Sequence, residues 1–398
     1  MAGLPRVNIN VTGGISRPNL NKDGVSGYVF YNDNIADLSE YTTSNRIIKF
    51  TNLPSIEATG LTSTSTNFKE EYYQLKEHFR AGGAEVYVGI FDAPAVSNDF
   101  TEIETMHLFS AGEIKLYGIY NSKVDLVSTD LALINDIMDD LSTGKQPAYA
   151  FYSANTAELS LTTLPNLRGL ASNLKYVSVV IGQDTKNEPL TLSVTNSVAN
   201  LGVVVGTSSN AKVNENILNV GKYNYTNGID MVEPGLFINS EDTDDTLVSV
   251  KNINSADLDA LNDKGYIFWR YFPNLEGTYL SNDNNCSAIT DTFNSVHIVR
   301  TSNKVIRESD IALTPLIGST LLFNSDGTLA SSSINLISSA LSNILSGMVR
   351  NEEISAFDIY IDPTQNTLST KTVNVELAIV PTESLDFITL NVSFVNQI

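Results

Sequence analysis

Side chains able to do covalent or metal chemistry are few and scattered. The chain carries three histidines, His78, His107 and His297, and one cysteine, Cys286. Zinc and iron sites built on His and Cys need several such ligands at short spacings. No HExxH is present, and a single cysteine forbids CxxC. Cys286 sits in Asn284-Asn285-Cys286-Ser287 with no basic neighbour to stabilise a thiolate, so it reads as structural. Phosphate loops are missing as well. Neither Gly82-Gly83 nor Gly202-Val203-Val204-Val205-Gly206-Thr207 has the Walker lysine spacing or GxGxxG. Ser209-Asn210-Ala211-Lys212 fits SxxK, yet its companion motifs are absent and no GxSxG occurs. No cofactor is expected.

Carboxylates are the plentiful group, with 45 Asp and Glu against 24 Lys and Arg in 398 residues and a net charge of −21. The stretch Glu241-Asp242-Thr243-Asp244-Asp245 could suit a hard cation, but Thr246 and Asn252 stand where an EF-hand needs Gly and Glu. It reads as a solvated acidic loop. Asp136, Asp139 and Asp140 fall on the wet side of an amphipathic helix whose apolar side holds Leu131, Ile134, Ile137, Met138 and Leu141. With acids this abundant, a carboxylate pair at hydrolase spacing carries little information. The sign of the charge and the lack of any basic stripe argue against nucleic-acid binding. With no disulfide possible, no apolar signal core and no run of 18 apolar residues, the expectation is a soluble protein made and folded in a cytoplasm.

The elements that would position any site are easier to read. A chain 42% hydrophobic and of this length suits two to three domains with sizeable cores. Gly24 to Phe50 reads as mixed strand and short helix. Phe68, Tyr72, Leu75 and Phe79 mark a helix to Arg80, stopped by Gly82-Gly83. Ala84 to Phe91 is a strand, Leu131 to Leu141 a helix, Ala148 to Tyr152 a strand and Leu164 to Asn173 a helix. Tyr176 to Ile181 is an apolar run suited to a buried strand, and Ser193 to Val205 looks helical. Helices alternating with strands predict a mostly parallel sheet covered by helices. Further on, Ser295 to Ile317 reads as helical up to Pro315, and Ile334 to Val349 as an amphipathic helix. Three strands close the chain, at Phe357 to Ile361, Thr372 to Ile379 and Phe387 to Val395.

Both ends are patterned as strands. Val7, Ile9 and Val11 alternate with Arg6, Asn8, Asn10 and Thr12, between Pro5 and Gly13-Gly14. Ile388, Leu390, Val392 and Phe394 alternate likewise at the other end. A lone strand cannot fold by itself. These two either close a sheet of their own subunit or are added to sheets of neighbouring ones.

Several stretches, in order along the chain, resemble the contractile tail sheath proteins of phages, R-type tailocins and type VI secretion. The first is Tyr72-Tyr73-Gln74-Leu75-Lys76-Glu77-His78-Phe79-Arg80-Ala81-Gly82-Gly83-Ala84-Glu85-Val86-Tyr87-Val88. The second is Lys264-Gly265-Tyr266-Ile267-Phe268-Trp269, followed by Ile298-Val299-Arg300. The third is Phe357-Asp358-Ile359-Tyr360-Ile361-Asp362-Pro363-Thr364-Gln365-Asn366, continued by Val373-Asn374-Val375-Glu376-Leu377-Ala378-Ile379-Val380-Pro381-Thr382-Glu383. Arg270-Tyr271-Phe272-Pro273 departs from the usual Gly-Asn-Arg, and Asn210 to Ala256 has no counterpart.

The resemblance implies an α/β fold: helix-covered mixed sheets in an inner domain with an inserted middle domain, plus extended N- and C-terminal strand arms. The implied divisions are 1–24 for the N-terminal arm, 25–264 for the middle and outer region, 265–384 for the inner core and 385–398 for the C-terminal arm. It implies a structural subunit, not an enzyme, that polymerises around a rigid inner tube and drives it forward on contraction. Strand arms at Val7, Ile9 and Val11 and at Leu390, Val392 and Phe394 would be donated to a receiving hairpin with Phe357, Ile359, Val373, Val375 and Leu377. A helix from Ile334 to Arg350 would face the tube through Ser339, Asn343 and Arg350. The implied partners are further copies in stacked rings, the inner tube protein, and baseplate and terminator proteins, with no nucleic acid and no stable membrane insertion. The implied place is a virion tail or tail-like particle assembled in the bacterial cytoplasm. Another tail or baseplate structural protein, or an adhesin, is the alternative.

Overall fold

A computed structural model of the chain describes residues 23–94, 98–155, 164–170, 173–184, 199–225, 234–238, 246–390, 392 and 394. Its first half is built on one large sheet and a small antiparallel one. In chain order the elements are β1 (Ser26–Tyr31), β2 (Ile47–Phe50), α1 (Leu53–Glu57), α2 (Lys69–Arg80), β3 (Val86–Phe91), α3 (Thr101–Phe109), β4 (Leu116–Asp125), α4 (Ser128–Thr143), β5 (Tyr149–Asn155), β6 (Val177–Val180), β7 (Gln183–Asp184), α5 (Leu201–Asn210), β8 (Pro234–Ile238), β9 (Thr246–Ser249), α6 (Ser255–Asp263) and β10 (Tyr266–Ile267). Seven strands form the main sheet in the order β10-β6-β5-β4-β1-β3-β2. All pairs are parallel except β2 with β3, at the edge. The strand order reverses at β1, which makes the sheet doubly wound.

Register explains the two helical layers. Tyr28 pairs with Gly118, and Gly118 with Phe151, so these residues share a face. That face meets α2 through the bond between the Tyr28 hydroxyl and His78 Nδ1, at 3.2 Å. The opposite face carries Tyr152, whose hydroxyl donates to Asp130 of α4 at 3.0 Å. Covered on both sides, β1, β3 and β6 are buried at every residue, which is why they read as unbroken apolar runs.

The second half departs from this sheet. β11 (Trp269–Phe272) and β12 (Leu275–Leu280) make a hairpin, with Trp269 buried edge-on against Tyr225. Then follow α7 (Val296–Leu313), α8 (Ser331–Arg350), β13 (Ile354–Tyr360), α9 (Thr367–Thr370) and β14 (Glu376–Pro381). β13 and β14 pair antiparallel as a two-stranded sheet of their own. The cores divide inside α7. Val296 and Val299 belong to the main core, whereas Val305 packs with Leu341, Leu345, Met348 and Ile354. Tyr266, Ile267, Phe268 and Trp269, which follow the division expected at 264/265, lie in the main core.

Four expected elements differ, one being Phe387 to Val395, whose described residues form no strand. Leu164 to Asn173 is not a helix but a 3-10 turn at Leu167–Gly169. Pro165 lacks an N–H, Asn166 Oδ1 accepts from the Arg168 N–H at 3.1 Å, and the Leu167 N–H donates to the Lys264 carbonyl. The helix expected from Ser193 starts at Leu201, capped by Asn200, whose side chain accepts from the Val203 N–H; residues 193–198 lie outside the described ones. The strand expected from Thr372 begins its ladder at Glu376. Gln365 takes both backbone groups of Asn374, at 2.6 and 3.2 Å, in place of a strand partner. The acidic loop 241–245 lies outside the described residues.

Candidate assembly surface

The three histidines and the cysteine are structural in their surroundings. Burial pushes the Cys286 thiol up to about 12, against thiolate chemistry. Burial pushes His78 down to about 3 and His107 down to about 4. His297 lies against Asp283, with Nδ1 2.6 Å from Oδ2. Burial pushes this imidazole down, but the adjacent carboxylate outweighs it and leaves the group above its ordinary value. Ser209 of the SxxK match donates to the Gly24 carbonyl and braces the entry to β1. Among the described residues no His, Cys, Asp and Glu cluster suits a metal ion, and no helix is long and apolar enough to cross a membrane.

At the carboxyl ends of β1 and β4, where a doubly wound sheet reverses its order, lies a small cavity of about 150 Å³. Glu71 lines it and is buried. Desolvation raises its carboxyl to about 7, partly offset by Asn32, whose amide donates to it at 2.8 Å. Glu70 beside it accepts from the Tyr120 hydroxyl at 2.9 Å. No sequence pattern singled out Glu71; its depth follows from the tertiary placement of the first turn of α2.

The surface with most unmet potential is the β13–β14 hairpin and the segment that follows it. Phe357 opposes Ile379, and Ile359 opposes Leu377, on the face packed against α8. The other face is exposed: Ala356 against Val380, Asp358 against Ala378, Tyr360 against Glu376. Among the described residues each strand pairs only with the other, leaving both outer edges of the sheet open. Val373 and Val375 precede the ladder and pack near Leu329, Ile337 and Ile361.

Beyond Pro381 the described residues form no strand with the rest of the chain. Their apolar side chains stand in solvent, Phe387 at 89%, Leu390 at 80%, Val392 at 66% and Phe394 at 98% exposure. The root of this arm is held. Asn214 Nδ2 donates to Thr382 Oγ1 at 3.0 Å and to the Glu352 carbonyl at 2.7 Å, and Asn216 Nδ2 reaches Ser384 Oγ at 3.3 Å. Residues 212–222 thus flank the arm root, and with Arg270 and Phe272 they form a groove of about 700 Å³. The expected arm residues Val7, Ile9 and Val11 lie outside the described ones.

Asp23, just ahead of β1, is held by α7. Lys304 Nζ lies 2.7 Å from Asp23 Oδ2 and 2.7 Å from Glu353 Oε1, and Arg307 also pairs with Asp23. Arg300, one turn earlier, donates to the Ala211 and Lys212 carbonyls. Along α8, Ser339, Asn343 and Arg350 are exposed together on the side away from Leu341, Leu345 and Met348.

The whole arrangement matches solved structures over nearly its full length. The anti-feeding prophage (AFP) helical sheath in its contracted state covers 99% of both chains at a TM-score of 0.59 and 14% identity. The PVC sheath complex of an extracellular contractile injection system, also contracted, covers 99% of this chain and 98% of that one at 0.60 and 14%. The chain has the contractile-sheath fold. A chain in the six-fold symmetrised AFP baseplate matches this sheath fold equally well, at 0.60 and 12% identity with 99% coverage of both. By sequence, the N-terminal domain of the family DUF2586 matches residues 123–284, and its C-terminal domain matches 293–398. No curated protein matches. The break between the two DUF2586 matches falls just ahead of α7, the helix shared by both cores of the sheath fold.

Proposed function

We propose that this chain is the repeating subunit of a contractile sheath, which polymerises around a rigid inner tube and drives it forward by switching from an extended to a contracted lattice. The observation that carries the reading is the C-terminal arm: an alternating apolar segment, with Phe387, Ile388, Leu390, Val392 and Phe394 exposed, beyond a two-stranded sheet open at both edges among the described residues. A strand arm and an open edge complete each other through backbone ladder bonds, and in a polymer the partners come from different copies. In this reading Leu390, Val392 and Phe394, and at the other end Val7, Ile9 and Val11, are donated. Phe357, Ile359 and Leu377 belong to the acceptor, buttressed by Val373 and Val375. The exposed side of α8, with Ser339, Asn343 and Arg350, faces the inner tube. Baseplate and terminator proteins would close the ends, in a virion tail or tail-like particle assembled in a bacterial cytoplasm. No catalytic role is assigned to the chain.

The test is truncation. Removing residues 1–14 or residues 385–398 is expected to leave circular dichroism unchanged and to abolish polymers in sedimentation. Ordered tubes formed by either truncated chain would remove that arm from the mechanism. A subunit of a baseplate or another tail part is the second reading, favoured by the fold match to the baseplate assembly. Electron microscopy of the purified chain separates the two, since a sheath subunit forms cylinders and a baseplate subunit alone does not.

A further inference from the structure

We propose that Arg6 of one copy pairs with a carboxylate, Asp358 or Glu376, on the exposed hairpin face of another copy, so that charge distinguishes the N-terminal arm from the C-terminal one. The inference rests on the strand-donation reading above.

The two arms differ sharply in charge. The first 22 residues hold Arg6, Arg17 and Lys22 and not one of the chain's 45 Asp and Glu. From Phe387 to Ile398 no side chain is ionisable. The acceptor is acidic. Asp358 in β13 and Glu376 in β14 both stand on the exposed face, and neither has an ion-pair partner among the described residues. Asp358 faces Ala378, and Glu376 is two residues further along, so the carboxylates are diagonal neighbours of like sign. Such a pair is mildly unfavourable until a cation arrives.

Parity brings the cation to the right face. A strand added to either edge continues the pleat, with alternate residues on opposite faces. If Val7, Ile9 and Val11 extend the buried face of Phe357, Ile359, Leu377 and Ile379, then Arg6, Asn8, Asn10 and Thr12 fall on the outer face. That is the face of Asp358 and Glu376. In the same phase the C-terminal arm offers Phe387, Thr389, Asn391, Ser393 and Val395, none of them charged. A neutral arm gains nothing from the carboxylates and a basic arm does, so the hairpin can tell the two arms apart.

The experiment uses the full chain and the concentration needed for polymerisation as its readout. Arg6→Gln is expected to raise that concentration about three- to fivefold at low salt, in line with a single cross-strand charge pair. The native chain should lose this advantage as salt is added, and the variant should show little salt dependence. Arg6→Glu should be worse, and either Asp358→Lys or Glu376→Lys should restore it; the one that does identifies the receiving edge. Arg6→Gln polymerising as the native chain does at every salt concentration, or restoration by neither reversal, would overturn the pairing. Deletion of 1–22 separates the two levels: polymers without the arm sink the donation reading itself, whereas loss of polymers with a silent Arg6→Gln sinks only the charge pairing.

Discussion

Glu71 shows how one side chain can record the fold's interior. Its carboxyl is raised from 4.5 to about 7, by burial first, with Asn32 and its own backbone pulling the other way. A group whose folded pKa lies above its unfolded one favours the folded state at low pH. The contribution is fully present below about 4.5 and is lost as pH rises through about 7. The native chain should therefore lose roughly 3 kcal/mol across that window from this group alone. Glu71→Gln keeps the acceptor for the Asn32 amide and cannot ionise. Urea unfolding of both proteins at pH 5 and pH 8 is the measurement, and the difference between their stabilities should grow in favour of the variant at pH 8. His297 slopes in the same sense, being held above its ordinary value beside Asp283, so the comparison with native protein isolates Glu71. His78, depressed to about 3, slopes the opposite way.

At the scale of elements, α2 and α5 approach so closely that backbone meets backbone. A Cβ on Gly202 would lie 2.0 Å from the Gln74 carbonyl oxygen, and one on Gly206 would lie 2.4 Å from that of His78. Gly202→Ala must push the helices apart and is expected to cost about 1–3 kcal/mol. Gly144, at φ −70° past the end of α4, meets nothing closer than 3.4 Å, and Gly144→Ala should be neutral or slightly stabilising. Thermal unfolding of the pair checks both signs. The apolar face of α2, its Gly-Gly stop and the strand after it were legible because they depend on local period and local breakers. The close approach of α5 was not, since Gly202 and Gly206 have the spacing of a small-residue stretch and only a neighbouring helix gives them meaning. The turn at Leu167–Gly169 was misread because its backbone bonds go to Asn166 and to distant Lys264. The β13–β14 hairpin was legible as alternation, whereas Asn214, Asn216 and Lys304, which hold Thr382, Ser384 and Asp23, follow no period.

For the whole molecule, the side of α8 that bears Ser339 and Asn343 is uncharged until Arg350, and, if it faces the tube as proposed, that suits a contact that must be released rather than one that must last. A carboxylate placed there would have to be desolvated against the tube. Ser339→Asp and Arg350→Glu are expected to hinder loading onto the tube while leaving subunit-to-subunit polymerisation intact. Cryo-microscopy of tails carrying each substitution reads both properties, and unchanged extended tails in both would move the contact to another element, with the loop from Asn324 to Ser333 next in line.

Lys304 has a mechanical meaning as well as an electrostatic one. Its ammonium touches Asp23, where the described chain enters, and Glu353, where the hairpin begins. In the proposed polymer, a pull arriving at Asp23 would pass to α7 and from there to the hairpin within the reach of one side chain. β1, the strand at which the main sheet reverses its order, starts three residues after Asp23, so the same lysine also moors that sheet to the hairpin.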